Sequence, residues 1–308
     1  MRVSHSIVVA LLFVLGIVFT ATPAQAATKK EEAKVEAVDP LKAATVNLYC
    51  TFRSGNKRFA ASGSGVFVSE RGVILTNAHV AQYFLLPRKE GKVTGSCSVR
   101  TGSPAKDQYT ASVLYISPKW FAGSPTSPTG TGEYDFALLY VTDAKKGSLP
   151  SLFPKLPIEV AESPRVTDGV TIAGYPTEKL SSDAVRKKLK ISAASSTVTN
   201  VRNFTPHVLA DVLTIAPSTA NAHGVSGGPI INSQGEVIGL ATAVSSGKTD
   251  RTLRAVSLPY INRTLQAETY LPLNYLFIGD FTQRANSTKA SVSTTTLQTI
   301  RDSMFKRK

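Results

Sequence analysis

Gly224-Val225-Ser226-Gly227-Gly228-Pro229 sets a serine among glycines that let backbone N–H groups converge on one point. That is the local geometry of acyl transfer. A serine hydroxyl is a weak nucleophile at its free pKa, so it needs a general base, and the developing oxyanion needs preorganised donors. The chain has 4 histidines, His5, His79, His207 and His223, and His5 lies in a hydrophobic leader. Thr76-Asn77-Ala78-His79-Val80 follows two short apolar runs, Gly65-Val66-Phe67-Val68 and Gly72-Val73-Ile74-Leu75, separated by a turn-prone Ser69-Glu70-Arg71. This pattern predicts a hairpin that delivers His79 to its end. The third member should be a carboxylate that holds the imidazole tautomer. Asp135 fits, because it opens the apolar run Phe136-Ala137-Leu138-Leu139-Tyr140-Val141, where a lone charge is costly unless paired.

The same glycines also match Gly-x-Ser-x-Gly, the nucleophile elbow of α/β-hydrolases. In that fold the histidine follows the serine, and no histidine follows Ser226. The elbow therefore cannot be completed in the usual way. Thr76-Asn77-Ala78-His79-Val80, Tyr134-Asp135-Phe136-Ala137-Leu138-Leu139 and the Ser226 segment together resemble the catalytic blocks of trypsin-like (chymotrypsin-fold) serine proteases, in that family's order. Gly63-Ser64-Gly65-Val66 and Gly235-Glu236-Val237-Ile238-Gly239 make the pattern similar to the bacterial exported HtrA/Deg-like group. The resemblance covers residues 46–262 and neither end.

The resemblance implies an all-β fold, two six-stranded antiparallel β-barrels with the active site in the cleft between them. It assigns Ser226 as nucleophile, His79 as general base and acid, and Asp135 as the group that orients the imidazole. It puts the oxyanion hole on the backbone amides of Gly224 and Ser226. Ala220 falls where the base of a specificity pocket is expected, with Ala241, Thr242 and Ala243 as a wall and a strand that pairs with the substrate. Small apolar walls predict a small or medium aliphatic side chain before the cleaved bond. Val225 stands where digestive trypsins carry an aspartate, which excludes activation by pairing with a newly cleaved N-terminus. His223 adjoins the oxyanion loop, and His207 has no assigned role.

The elements that must position these residues read as follows. Met1-Arg2, the apolar run Ile7 to Phe19 and an Ala-x-Ala site ending at Ala26 have the anatomy of a secretory signal peptide, residues 1–26, with an uncleaved anchor as the alternative. Residues 27–45 form a charged, alanine-rich linker. Residues 46–268 form the protease-like domain, with barrel one over about 46–145 and barrel two over about 165–258, joined by the Pro-rich crossing Leu149 to Pro164. Pro259 to Glu268 is predicted as a short helix. Residues 269–308 form a C-terminal extension, ordered to about 281 and flexible or weakly helical beyond Gln283, with too little chain for a PDZ domain. Export makes the two cysteines, Cys50 and Cys97, the expected disulfide, because oxidising compartments permit one.

The location expected is extracellular, periplasmic or cell-envelope. Lys+Arg of 35 against Asp+Glu of 21 gives a formal charge of +14, which favours anionic surfaces. The basic residues are scattered apart from Arg186-Lys187-Lys188-Leu189-Lys190 and the terminal Lys306-Arg307-Lys308, so a solvated face is the better reading. The function expected is an exported serine endopeptidase acting on polypeptides. The alternative is a catalytically silent protein of the same fold that binds anionic cell-surface or wall polymers. No nucleic-acid partner, metal or cofactor is expected, membrane contact only if the leader is retained, and a monomer by default.

Overall fold

Apolar runs with turn residues between them pair here as predicted. In a computed structural model that describes residues 39–122, 132–206, 209–244 and 251–306, a short helix α1 (Pro40–Ala44) leads into β1 (Thr45–Ser54), β2 (Lys57–Phe67) and β3 (Val73–Thr76). The hairpin β1–β2 turns at Gly55, whose φ of 57° suits a residue without Cβ. Helix α2 (Ala78–Ala81) follows β3, then β4 (Lys89–Glu90), β5 (Val93–Thr101), β6 (Lys106–Ile116), helix α3 (Pro118–Ala122) and β7 (Ala137–Ala144). The order β1-β2-β3-β7-β6-β5 is closed by β1–β5 pairing, making a six-stranded barrel with β4 as a short edge. Cys50 lies directly opposite Cys97 in the β1–β5 ladder, and the two form a disulfide.

The second barrel comprises β8 (Gly169–Gly174), β9 (Ser192–Arg202), β10 (Val212–Ile215), β11 (Pro229–Ile231), β12 (Val237–Val244) and β13 (Leu253–Ser257). They close in the order β10-β13-β12-β11-β8-β9. Helix α4 (Ser182–Lys187) sits between β8 and β9. Its own core gathers Val170, Ile172, Leu213, Ala220, Val225, Ala241 and Ala255. Val225 is therefore a packing residue, and a Cβ on Gly174 would stand only 2.2 Å from its Cγ1.

The crossing between barrels is pinned to both. Phe153 packs tilted against Phe67 and edge-on to Tyr109, at 5.0 and 5.4 Å between centroids. Leu156 donates its N–H to Phe67 O at 3.0 Å, and Glu159 donates to Val237 O at 2.9 Å.

The predicted helix after the second barrel is present as α5 (Leu258–Thr269), capped by the Ser257 hydroxyl. Beyond it, where the composition predicts a flexible or weakly helical end, the chain is helical. Helices α6 (Phe281–Ser291) and α7 (Thr294–Lys306) pack along barrel one and bury Phe281, Ala285, Ile300 and Met304. Phe281 meets Tyr140 at 5.6 Å, Thr288 Oγ1 donates to Leu114 O at 2.9 Å, and Met304 joins Cys50 and Phe52. Ser/Thr-rich helices have little stability alone, so these are held by tertiary burial. Among the described residues no helix is long and apolar enough to cross a membrane. The leader, His207 and most of the Pro118–Thr131 loop lie outside the described residues.

Candidate active site

The β2–β3 hairpin ends at Asn77, whose extended backbone caps α2, so His79 emerges in the first turn after the strand. Asp135 lies just before β7, the neighbour of β3, which brings it beside that turn. Asn77 Nδ2 donates to Asp135 O at 2.9 Å and so ties the two loops together. The Asp135 carboxylate grips His79 twice. Oδ2 is 2.8 Å from Nδ1, and Oδ1 accepts the His79 backbone N–H at 2.9 Å. Two bonds from one carboxylate define both ring position and tautomer, leaving Nε2 as the basic nitrogen. The His79 side chain is 23% exposed and that of Asp135 only 8%. Burial works to lower the His79 pKa, but the Asp135 charge and hydrogen bond outweigh it, and the net position is above the ordinary 6.5.

Ser226 arrives from the other barrel, on the loop before β11. Ser64 of β2 is the contact that seats it: its N–H donates to Ser226 O at 2.7 Å, and its hydroxyl donates to Gly224 O at 2.8 Å while accepting from Tyr175 N–H at 2.9 Å. Thr76 Oγ1 in turn donates to Ser64 O at 2.7 Å. Gly227 has φ of 84°, and a Cβ there would stand 2.2 Å from both Ser64 O and Thr76 Oγ1 and 3.1 Å from Asn77 N. No side chain fits between the serine loop and the histidine hairpin. The Ser226 hydroxyl donates to Thr242 O at 3.1 Å, and among the described residues no hydrogen bond joins it to His79.

Neither Gly224 N–H nor Ser226 N–H donates to a described acceptor. The orientation of the first has a visible cause. His223 O accepts from Thr177 N–H at 2.8 Å and Thr177 Oγ1 at 3.2 Å. Since C=O and N–H point opposite ways in a trans peptide, anchoring His223 O turns Gly224 N–H the other way. Gly224 takes φ of 96°, and a Cβ would meet Tyr175 O at 2.5 Å.

Ala220 and Ala241 are fully buried in the second core, and Thr242 is 5% exposed. Ala243 pairs with Arg254 across β12–β13. Ser64 and Thr76 stand in the motifs that carry the resemblance but have no role of their own there, and Thr177 was not singled out from sequence. A serine between two glycines at the fully buried end of a strand was the available signal for Ser64.

The fold and this arrangement define a class, the double-barrel peptidases of trypsin type. A model of the trypsin-like peptidase domain matches residues 63–240, and the chain belongs to that family. It is 30% identical over 212 residues to Protease Do-like 2, chloroplastic, of Arabidopsis thaliana, which covers 65% of this chain and 28% of that protein. The chain thus spans under a third of that relative's length. It also resembles the crystal structure of Rv3671c protease from M. tuberculosis, active form, with a TM-score of 0.47 and 18% identity over 73% of this chain and 80% of that one.

Proposed function

We propose that this chain is an exported serine endopeptidase that cleaves peptide bonds through an acyl-enzyme. The observation that carries the reading is the double grip of Asp135 on His79, on the same hairpin against which the Ser226 loop is seated. Ser226 Oγ leaves Thr242 O, turns to His79 Nε2, gives up its proton there and attacks the substrate carbonyl. Asp135 stabilises the imidazolium that results. The tetrahedral oxyanion takes the N–H groups of Gly224 and Ser226, and His79 then hands its proton to the departing amine. Water, deprotonated by His79, releases the acyl group.

The Cys50–Cys97 bond supports an oxidising destination. The leader anatomy assigns export, with a mature chain beginning after Ala26. The N-terminal residue of protein recovered from a secreting host tests that assignment.

A fluorophosphonate probe tests the chemistry. Wild-type protein is expected to label and Ser226→Ala not to. Folded wild-type protein that stays unlabelled while an ordinary serine protease reacts would defeat the reading.

A further inference from the structure

Asp135 sits at the centre of a tight turn, and the residue before it is strained. Tyr134 has φ of 57°, a left-handed conformation that a residue with Cβ rarely adopts and that its surroundings must hold. Phe136 N–H donates to Tyr134 O at 2.9 Å, two residues back, and Asp135 N–H donates to Gly132 O at 3.1 Å. Asp135 O accepts from Asn77 Nδ2 at 2.9 Å. Tyr134 N–H donates to the hydroxyl of Tyr260 at 3.1 Å. Tyr134 is thus pinned on both sides, the peptide before it by Tyr260 and the backbone after it by the turn and Asn77. Its φ is the torsion between those pins. Losing one lets φ relax toward negative values, and the Asp135 carboxylate swings with it.

Tyr260 is well placed to be such a pin. It lies in the first turn of α5, is 5% exposed, and gives its own N–H to the capping Ser257 hydroxyl at 3.2 Å. Its ring meets Phe136 edge-on at 6.4 Å and Phe204 at 5.0 Å between centroids. One side chain from the helix after barrel two therefore touches the residue before Asp135 through its hydroxyl and the residue after it through its ring. Burial holds the phenol above its ordinary 10, so it stays neutral through the range in which His79 titrates.

We propose that Tyr260 is a positioning residue: its hydroxyl keeps the strained turn at Tyr134 in place and so holds the Asp135 carboxylate in its two bonds to His79. This rests on the serine peptidase reading above. It gives the helix after the second barrel a part in a pair that lies wholly on the first.

Tyr260→Phe tests it, because that change removes the hydroxyl and leaves both ring contacts. kcat is expected to fall about tenfold with KM within about twofold, since misplacing a group that does not touch substrate costs rate and not binding. The Asp135 charge and hydrogen bond raise the His79 pKa, so the midpoint of kcat/KM against pH should move down. A second arm needs no turnover: in Ser226→Ala protein, the downfield proton resonance of His79 Nδ1–H should broaden or move upfield when Tyr260→Phe is added. Two comparisons separate this from a loss of packing. Tyr115→Phe removes another buried hydroxyl, one that bonds Glu268 and not the turn, and should lower stability without moving kcat or the midpoint. In a Tyr134→Gly background, where the left-handed φ carries no Cβ penalty, Tyr260→Phe should lower kcat by less than about twofold. An unchanged kcat, an unchanged Nδ1–H resonance, an equal midpoint shift in Tyr115→Phe, or the same loss with and without Tyr134→Gly would each overturn the proposal. Wild-type labelling by the fluorophosphonate probe separates the two failures. Labelled wild-type protein whose kcat survives Tyr260→Phe rejects Tyr260 alone, whereas unlabelled wild-type protein that still shows the resonance change rejects the peptidase reading and keeps the pin.

Discussion

Ser64 donates its backbone N–H to the carbonyl of Ser226 at 2.7 Å, so a strand of the first barrel holds the serine loop of the second. The Ser64 hydroxyl completes the grip on Gly224 O and Tyr175 N–H with no exposure to water. Ser64→Ala should leave both groups buried and unpaired. The expected loss is about 1–3 kcal/mol of stability for each group left unpaired, read by urea unfolding, together with a fall in kcat larger than any change in KM.

The pH dependence follows from His79. In the proposed mechanism it must be neutral to accept the Ser226 proton, and its pKa is raised above the ordinary 6.5, so kcat/KM should rise with pH to a plateau with a midpoint above that value. Asp135→Asn should lower the midpoint and reduce kcat by roughly 10⁴. The stability sign is the reverse. A raised folded pKa makes the His79–Asp135 contribution complete below about 6.5 and lost as pH rises through the folded value, which unfolding at a series of pH values measures.

Gly224 is constrained by Tyr175 and Thr177. Gly224→Ala should push the 223–224 peptide away from its anchor and misdirect one oxyanion donor. Losing such a donor costs about 2.7–4 kcal/mol, so kcat should fall by about 10²–10³ with KM little changed. Steady-state kinetics on a single peptide reads the split.

The disulfide closes a separation of 47 residues. Replacing both Cys50 and Cys97 by serine should lower stability by about 2–4 kcal/mol in denaturant titrations, with no change in the pH midpoint of activity.

Helix α7 packs on the disulfide region through Met304, which is 4% exposed. Met304→Ala should cost about 2–5 kcal/mol by unfolding, and should expose residues after Ser293 to limited proteolysis at protein concentrations where wild-type chain resists. Unchanged stability would return the C-terminal extension to the flexible or weakly helical segment expected from its composition.

The sequence by itself determined the candidate blocks for the proposed chemistry, because the needs of acyl transfer are local in residue type: a glycine-flanked serine, a histidine ending an apolar hairpin, a carboxylate opening an apolar strand. Counting histidines even excluded the rival elbow. It also narrowed the cysteines to one pair, although only the β1–β5 register sets Cys50 opposite Cys97. Tertiary structure decided what depends on partners far apart in the chain. The Ser64 clamp and the Thr177 anchor each arise where separate strands or loops meet, and no window of sequence contains both sides. The C-terminal helices belong to the same category. Their polar composition carries weak local preference, and burial of Phe281 and Met304 against barrel one supplies the order that propensity lacks.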